Sequence, residues 1–277
     1  MLRGKTESVI IKILVYASAF LTMGMAAGII IYIIIKGTPN ISADLFSLNY
    51  NSENCSLMPA AINTLIMTLM ALLIAVPLGI FSAIYLVEYA KRGNKLVGIV
   101  RITAETLTGI PSIVYGLFGY LMFVTTLKFG YSMIAGAMTL SIMILPVIMR
   151  TTEEALMSVP DSYREGSFGL GAGKLRTVFK VILPSAVPGI LSGIILSVGR
   201  IAGETAALIF TAGTVAQIPD GIFSSGRTLA VHLYALWNEG LNTDKAYATA
   251  VILLITVVII NIISSTIAGR ITKGKTE

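Results

Sequence analysis

The residues of this chain best suited to chemistry are few, and they sit in apolar surroundings. Arg200 and Glu204 are four apart within the apolar segment 187–212, Arg101 and Glu105 are four apart within 96–127, and Arg150 closes the apolar segment 131–149. On a helix, a spacing of four puts two side chains on one face. A guanidinium offers a planar fork of donors and a permanent charge, which suits the tetrahedral oxygens of an oxyanion. Burying that charge in hydrocarbon costs at least about 2.5–3.5 kcal/mol on insertion scales, so something must offset it. Two readings of Arg200 with Glu204 stand side by side. In one they form an internal ion pair that supports packing. In the other Arg200 admits an anion, and Glu204 weakens the attraction enough for the anion to leave again. Arg150 reads either as a basic anchor at a segment end or as part of such a pathway. Glu105 reads either as the partner of Arg101 or as a pathway residue.

Little else in the sequence could carry a reaction. The one histidine, His232, excludes a multi-histidine metal cluster, and the one cysteine, Cys55, excludes an intrachain disulfide. His232 reads as a surface residue rather than a ligand. Gly171-Ala172-Gly173-Lys174 imitates the end of a phosphate-binding loop, but Phe168 stands where the first glycine belongs and Leu175 where Ser or Thr belongs. No ATP site, cofactor site or metal site follows from these residues. A membrane-embedded enzyme would need a nucleophile with a base, or metal ligands within the apolar segments, and neither is present in the sequence.

The elements that must hold these charges are apolar. Hydrophobic residues make up 55% of the 277 and charged residues 12%, and the mean hydropathy is +0.86. A soluble fold of this size cannot hide that much apolar surface, so lipid is the expected solvent. A helix needs about 20 apolar residues to cross a bilayer. Six segments qualify: 9–35, 60–87, 96–127, 131–149, 187–212 and 246–268. The first is too long for a signal-peptide core and no small-residue cleavage site follows it. Pro77, Pro111, Pro146 and Pro188 lie in or beside these segments, and Pro111 predicts a kink or break in the third. Gly24 and Gly28, Gly189 and Gly193, and Gly199 and Gly203 are spaced for close helix contact.

Basic residues give the orientation. With the N-terminus inside, fifteen of the twenty Lys and Arg fall on the cytoplasmic side, Arg3, Lys5, Arg92, Lys273 and Lys275 among them, and four fall outside. That excess predicts both termini in the cytoplasm. It also explains the net charge of +6 without nucleic acid as a partner. The long loops 37–59 and 213–245 then lie outside and 151–186 lies inside. No low-complexity segment and no clear internal repeat interrupts this pattern.

The inner loop is the most informative stretch. Between Val159-Pro160 and Leu183-Pro184 it is moderately polar and rich in small residues, with Gly166, Gly169, Gly171 and Gly173. Asp161 near the start and Lys174 and Arg176 near the end suit a short helix dipole. Glycines are poor helix formers but let another surface approach closely. The loop reads as an ordinary connection or as a docking element. Its spacing resembles the cytoplasmic signature of ABC importer membrane subunits, E-A-A-x3-G-x9-I-x-L-P. Glu165, Gly166, Ser167, Gly171, Val181, Leu183 and Pro184 occupy those positions, with Gly166 and Ser167 in place of the alanines and Val181 in place of isoleucine. Three other stretches resemble the phosphate permeases of that family. They are Gly109-Ile110-Pro111-Ser112-Ile113-Val114-Tyr115-Gly116, Glu153-Glu154-Ala155-Leu156 followed by Val159-Pro160 and Tyr163-Arg164-Glu165-Gly166, and Gly199-Arg200-Ile201-Ala202-Gly203-Glu204-Thr205-Ala206. The resemblance runs from about residue 60 to the C-terminus. The short N-terminal region and the loop 227–237 resemble the A (PstA) type more than the C type.

The resemblance implies an all-α polytopic bundle of about six spans with the type I ABC importer (MetI-like) permease fold. Residues 1–59 would be an N-terminal span plus the first outer loop, and 60–277 a five-span core with the coupling loop 151–186. It implies that residues 161–173 dock in a groove of a separate ATP-binding subunit. The implied partners are cytoplasmic ATP-binding subunits, a second permease subunit of C type, an extracytoplasmic phosphate-binding protein, membrane lipid and inorganic phosphate, in a prokaryotic plasma membrane. A permease for another oxyanion, molybdate or sulfate, would share the fold and the loop.

Overall fold

The computed structural model describes residues 2–91, 93–240 and 242–273. Arg92 and Lys275 lie outside the described residues, as do the side chains of Arg3, Lys5 and Lys273. The regular structure of the described residues is all helical. Helix α1 (Leu2–Gly37) is followed by α2 (Met58–Ile84), α3 (Lys95–Thr108), α4 (Ser112–Gly119), α5 (Met133–Met157) and α6 (Asp161–Gly169). Then come α7 (Lys174–Thr177), α8 (Leu183–Ala202), α9 (Ala206–Thr211), α10 (Leu229–Glu239) and α11 (Thr243–Lys273). Wider π turns extend α2 over Tyr85–Tyr89 and α4 over Tyr120–Thr126, and join α7 to α8 over Val178–Ile182.

Five stretches are long and apolar enough to cross a membrane: Ile11–Asn40, Met58–Tyr89, Met133–Met157, Lys174–Ala202 and Thr243–Arg270. A sixth exists only as a pair, Lys95–Thr108 and Ser112–Thr126, bent by 105°. Pro111 explains the bend. Its ring cannot continue a helix from the residue before it, so the chain turns extended at Pro111 (ψ 141°) and restarts at Ser112. The break expected at Pro111 is therefore there. The fifth span departs from expectation. It starts near Lys174 instead of 187 and stops at Ala202, and the residues to 212 form a separate short helix. The loop 213–245 also holds a helix too short to register as a span, α10, closed by Gly240 in the left-handed conformation (φ 69°).

The core lies between α2, α5 and α8. Helix α2 presents Met67, Ala71, Ala75, Gly79 and Ala83 every fourth residue, all buried. Small residues at that spacing let two backbones come close where no water drives them together. A Cβ on Gly79 would sit 2.7 Å from Cγ2 of Ile148 on α5. Ser141 of α5 bonds the Ala71 carbonyl across this seam at 3.0 Å. Glycines on α8 do the same on the other side of α5. A Cβ on Gly189 would meet Ala155 at 2.6 Å, and one on Gly193 would collide with Thr151. The other glycine pairs pack differently: Gly24 and Gly28 face open space on α1, and Gly199 lies near Asn261 of α11. Helix α1 is exposed along nearly all of 11–36 and touches the bundle at its end, where Tyr32 meets Tyr247 edge to face at 6.0 Å.

Candidate functional site

Arg200 stands on the last turn of α8, half-buried. Helix α8 ends two residues later, and Gly203 receives the closing turn. Glu204 therefore leaves the helix, and the i,i+4 ion pair with Arg200 does not form. The Glu204 carboxylate is buried and turns forward instead, its Oε1 accepting the Ala207 N–H at 3.1 Å and so capping α9. The cause is geometric: the four-residue rule needs an unbroken helix, and Gly203-Glu204-Thr205 is a break. Among the described residues no carboxylate lies within ion-pair distance of Arg200.

The break after α8 meets the break after α3. Helix α9 lies on α4, where a Cβ on Gly116 would approach Cα of Ala207 at 2.9 Å. Tyr115 of α4 is within electrostatic reach of Arg200, and its hydroxyl donates to the Leu107 carbonyl at 2.8 Å, tying α4 back to α3. Two interrupted spans and one unpaired cation thus come together. Freed backbone groups at membrane depth are tolerated where protein or a water-filled cavity receives them.

Arg150 and Glu105 lie at another place, between α3 and α5 toward the end of the bundle that carries α6. Arg101 pairs with Glu153 of α5 and not with Glu105. Glu105 lies 3.6 Å from Arg150, whose Nε donates to Glu154 at 3.1 Å. The expected Arg101–Glu105 pair is thus replaced by pairs across helices, because α3 turns this face toward α5. The five charges, with Ala104, Met149 and Met157, line a cavity of about 240 Å³.

The loop 151–186 folds as α6, a turn, α7 and the π turn into α8. Pro160 is extended (ψ 141°) and starts α6. Arg164 holds α6 to the rest of the chain. It donates to Glu88, in the π turn that ends α2, at 2.7 Å, and also to Asp161 and to the carbonyls of Val159 and Leu156. Ser167 and Thr177 join hydroxyls at 2.9 Å and close the loop. Tyr163, Glu165, Phe168, Leu170 and Leu175 are exposed, Leu170 to 91%. Around Gly166, Gly169, Gly171 and Gly173 nothing lies within 4 Å of an added Cβ, and Gly171 has φ +79°. An apolar, glycine-lined ridge is therefore open to another surface. Leu183 and Pro184 are not on that ridge; they are partly buried and begin α8.

The opposite end of the bundle holds a group that sequence reasoning missed. His232 is fully buried, not on the surface. Its Nδ1 accepts from Nε of Arg227 at 3.0 Å, and Arg227 itself is buried. Burial first, then the Arg227 charge, lower the His232 pKa to about 3, against a smaller opposing effect of the Cys55 carbonyl. The ring is therefore a neutral acceptor. Tyr50 lies under the guanidinium at 4.7 Å. The hint in the sequence was a lone arginine in the long loop 213–245.

Comparison with known proteins agrees with this architecture. Residues 75–276 match the family model described as binding-protein-dependent transport system inner membrane component. A probable ABC transporter permease protein, YqgI of Bacillus subtilis (strain 168), is 34% identical over 276 residues, covering 93% of this chain and 94% of that protein. The phosphate transport system permease protein PstA of Pasteurella multocida (strain Pm70) is also 34% identical, over 271 residues and 93% of each chain. Among solved structures, a bacterial alginate ABC transporter with its periplasmic protein aligns at a TM-score of 0.71 with 17% identity, over 94% of this chain and 95% of that one. The MetNI methionine ABC transporter in an inward-facing conformation aligns at 0.63 with 22% identity, over 84% of this chain and 100% of that one. The fold is thus that of ABC importer permeases, and the chain belongs to the binding-protein-dependent transport system inner membrane component family.

Proposed function

We propose that this chain is a membrane subunit of an ATP-driven importer for inorganic phosphate. The observation that carries the reading is Arg200, a cation without a carboxylate partner at the meeting of two interrupted spans. An anion passing there finds a fork of donors, and half-exposure keeps the attraction weak enough for release. The whole-length similarity to a phosphate permease supports phosphate as that anion. Glu204 shapes the site by capping α9 rather than by neutralising Arg200. Arg150 and Glu105, together with Arg101 and Glu153, form an ionic closure between α3 and α5 that must loosen as the path opens.

The positive-inside excess supports a cytoplasmic position for α6 and both termini. There its exposed apolar residues and open glycines fit a groove of an ATP-binding subunit that carries the hydrolysis. Glu165, Gly166 and Gly171 belong to that surface, while Leu183 and Pro184 support it from within. A second permease subunit encloses the path, and an extracytoplasmic binding protein delivers the anion. ATP-driven closure of the ATPase pair moves α6, and through Arg164 and Glu88 that motion reaches α2. The coupling works only if the loaded binding protein favours one state over the other.

The test is phosphate uptake in cells dependent on this transporter. Arg200→Ala is expected to abolish uptake while the chain stays in the membrane at normal level, and normal uptake by that variant sinks the proposal.

A further inference from the structure

We infer that the end of the bundle opposite α6 contains an oxyanion-binding site built around Arg227. Arg227 is 4% exposed, and its guanidinium has no carboxylate within ion-pair distance among the described residues. Its Nε is used by His232, its face by Tyr50, and its Nη1 reaches the Thr214 carbonyl only at 3.5 Å. Nη2 has no partner. A buried charge that lacks a counter-ion is expensive, and the neutral contacts of Arg227 leave room for an anion to offset that cost. His232 does not supply a counter-ion, because an imidazole side chain is either neutral or cationic.

The surroundings fit a small hydrated anion. Arg227 forms part of the wall of a cavity of about 730 Å³, whose lining includes Asn49, Ser52, Thr214 and Gln217. Glu239 also lines it, the one carboxylate there; it is exposed and not paired with Arg227. Arg227 lines the cavity while its Nη2 is enclosed and without a hydrogen-bond partner among the described residues, so the 48–52 segment must move aside for an anion to reach that nitrogen. Amide and hydroxyl groups then complete the shell of a tetrahedral oxyanion held on the Nη1–Nη2 edge. The site is separate from Arg200. With α2 running from one end to the other, 27 residues long, it stands about 40 Å from the α6 end. Its place on the outer face rests on the orientation proposed above; the binding itself does not.

The experiment is thermal unfolding of the purified full chain in detergent, titrated with inorganic phosphate against chloride at matched ionic strength. The expected result is a saturable rise in Tm with phosphate beyond that with chloride. Arg227→Gln should weaken half-saturation about tenfold or more, as loss of a charge-assisted pair implies, while Lys12→Gln, on the exposed start of α1, leaves this response in place. Should Arg227→Gln fail to fold, Asn49→Asp takes its place: a carboxylate supplied within the cavity should remove the phosphate response. A wild-type response no larger than chloride's, or one that survives Arg227→Gln or Asn49→Asp, overturns the inference. Uptake by the Arg200 variant is read separately, so failure of the transport reading and failure of this site are distinguishable.

Discussion

Glu204 and His232 each do something other than their residue types suggest, and in both cases the partner decides. Glu204 gives its carboxylate to a backbone N–H, so the bond matters more than the charge. Glu204→Gln keeps an acceptor at that place and is expected to leave stability nearly unchanged. Glu204→Ala removes the cap and should cost about 1 kcal/mol, read as a lower denaturation midpoint in detergent. His232 is neutral when folded, with a pKa of about 3, and titrates near 6.5 when unfolded. The unfolded chain thus binds the extra proton first. The stability due to neutral His232 is complete above about pH 6.5 and drains away as pH falls toward 3. Melting at pH 7.5 and pH 5 should show a smaller acid loss in His232→Gln, which keeps an acceptor for Arg227 without a titrating ring. An equal loss in both proteins would contradict the assignment.

At the level of elements, the packing seams make sharp demands. Gly79 on α2 faces Ile148 with no room for a side chain. Gly79→Val overpacks the α2–α5 seam and is expected to destabilise by about 1–3 kcal/mol, whereas Gly28→Val on the open face of α1 should be nearly neutral. Parallel Tm measurements check the pair. Hydropathy alone located the apolar spans, because the bilayer sets their length, and Pro111 announced its own break. The pattern could not show that α8 stops at Ala202, since Ile201 to Ala212 stay apolar around Glu204 and only Gly203 marks the change. Nor could it show α10, whose eleven residues are too few to register as a span. Charge partners were illegible for a different reason. Spacing along the chain reports only on one helix, while Arg101 and Glu105 find their partners on another, as does Arg164 beside its contact to Asp161 on α6.

In the whole molecule, the resemblance read from the inner loop and the break motifs agrees with the family and fold that the comparisons establish. Leu170 is the most exposed apolar side chain of α6 and its turn. Leu170→Asp is expected to leave the chain folded but to lower the yield of complex with the ATP-binding subunit on co-purification. Arg164→Ala tests the next step. Complex assembly should persist while substrate-stimulated ATP hydrolysis falls severalfold, because the tie from α6 to Glu88 is cut. Glu88 sits in a π turn at the tip of a helix that is otherwise wedged tightly against α5. The seam with α5 continues on both sides of Pro77, so a nudge at the tip has a packed route along α2 to the far mouth of the bundle, where Asn63 and Thr64 grip the loop bearing Arg227.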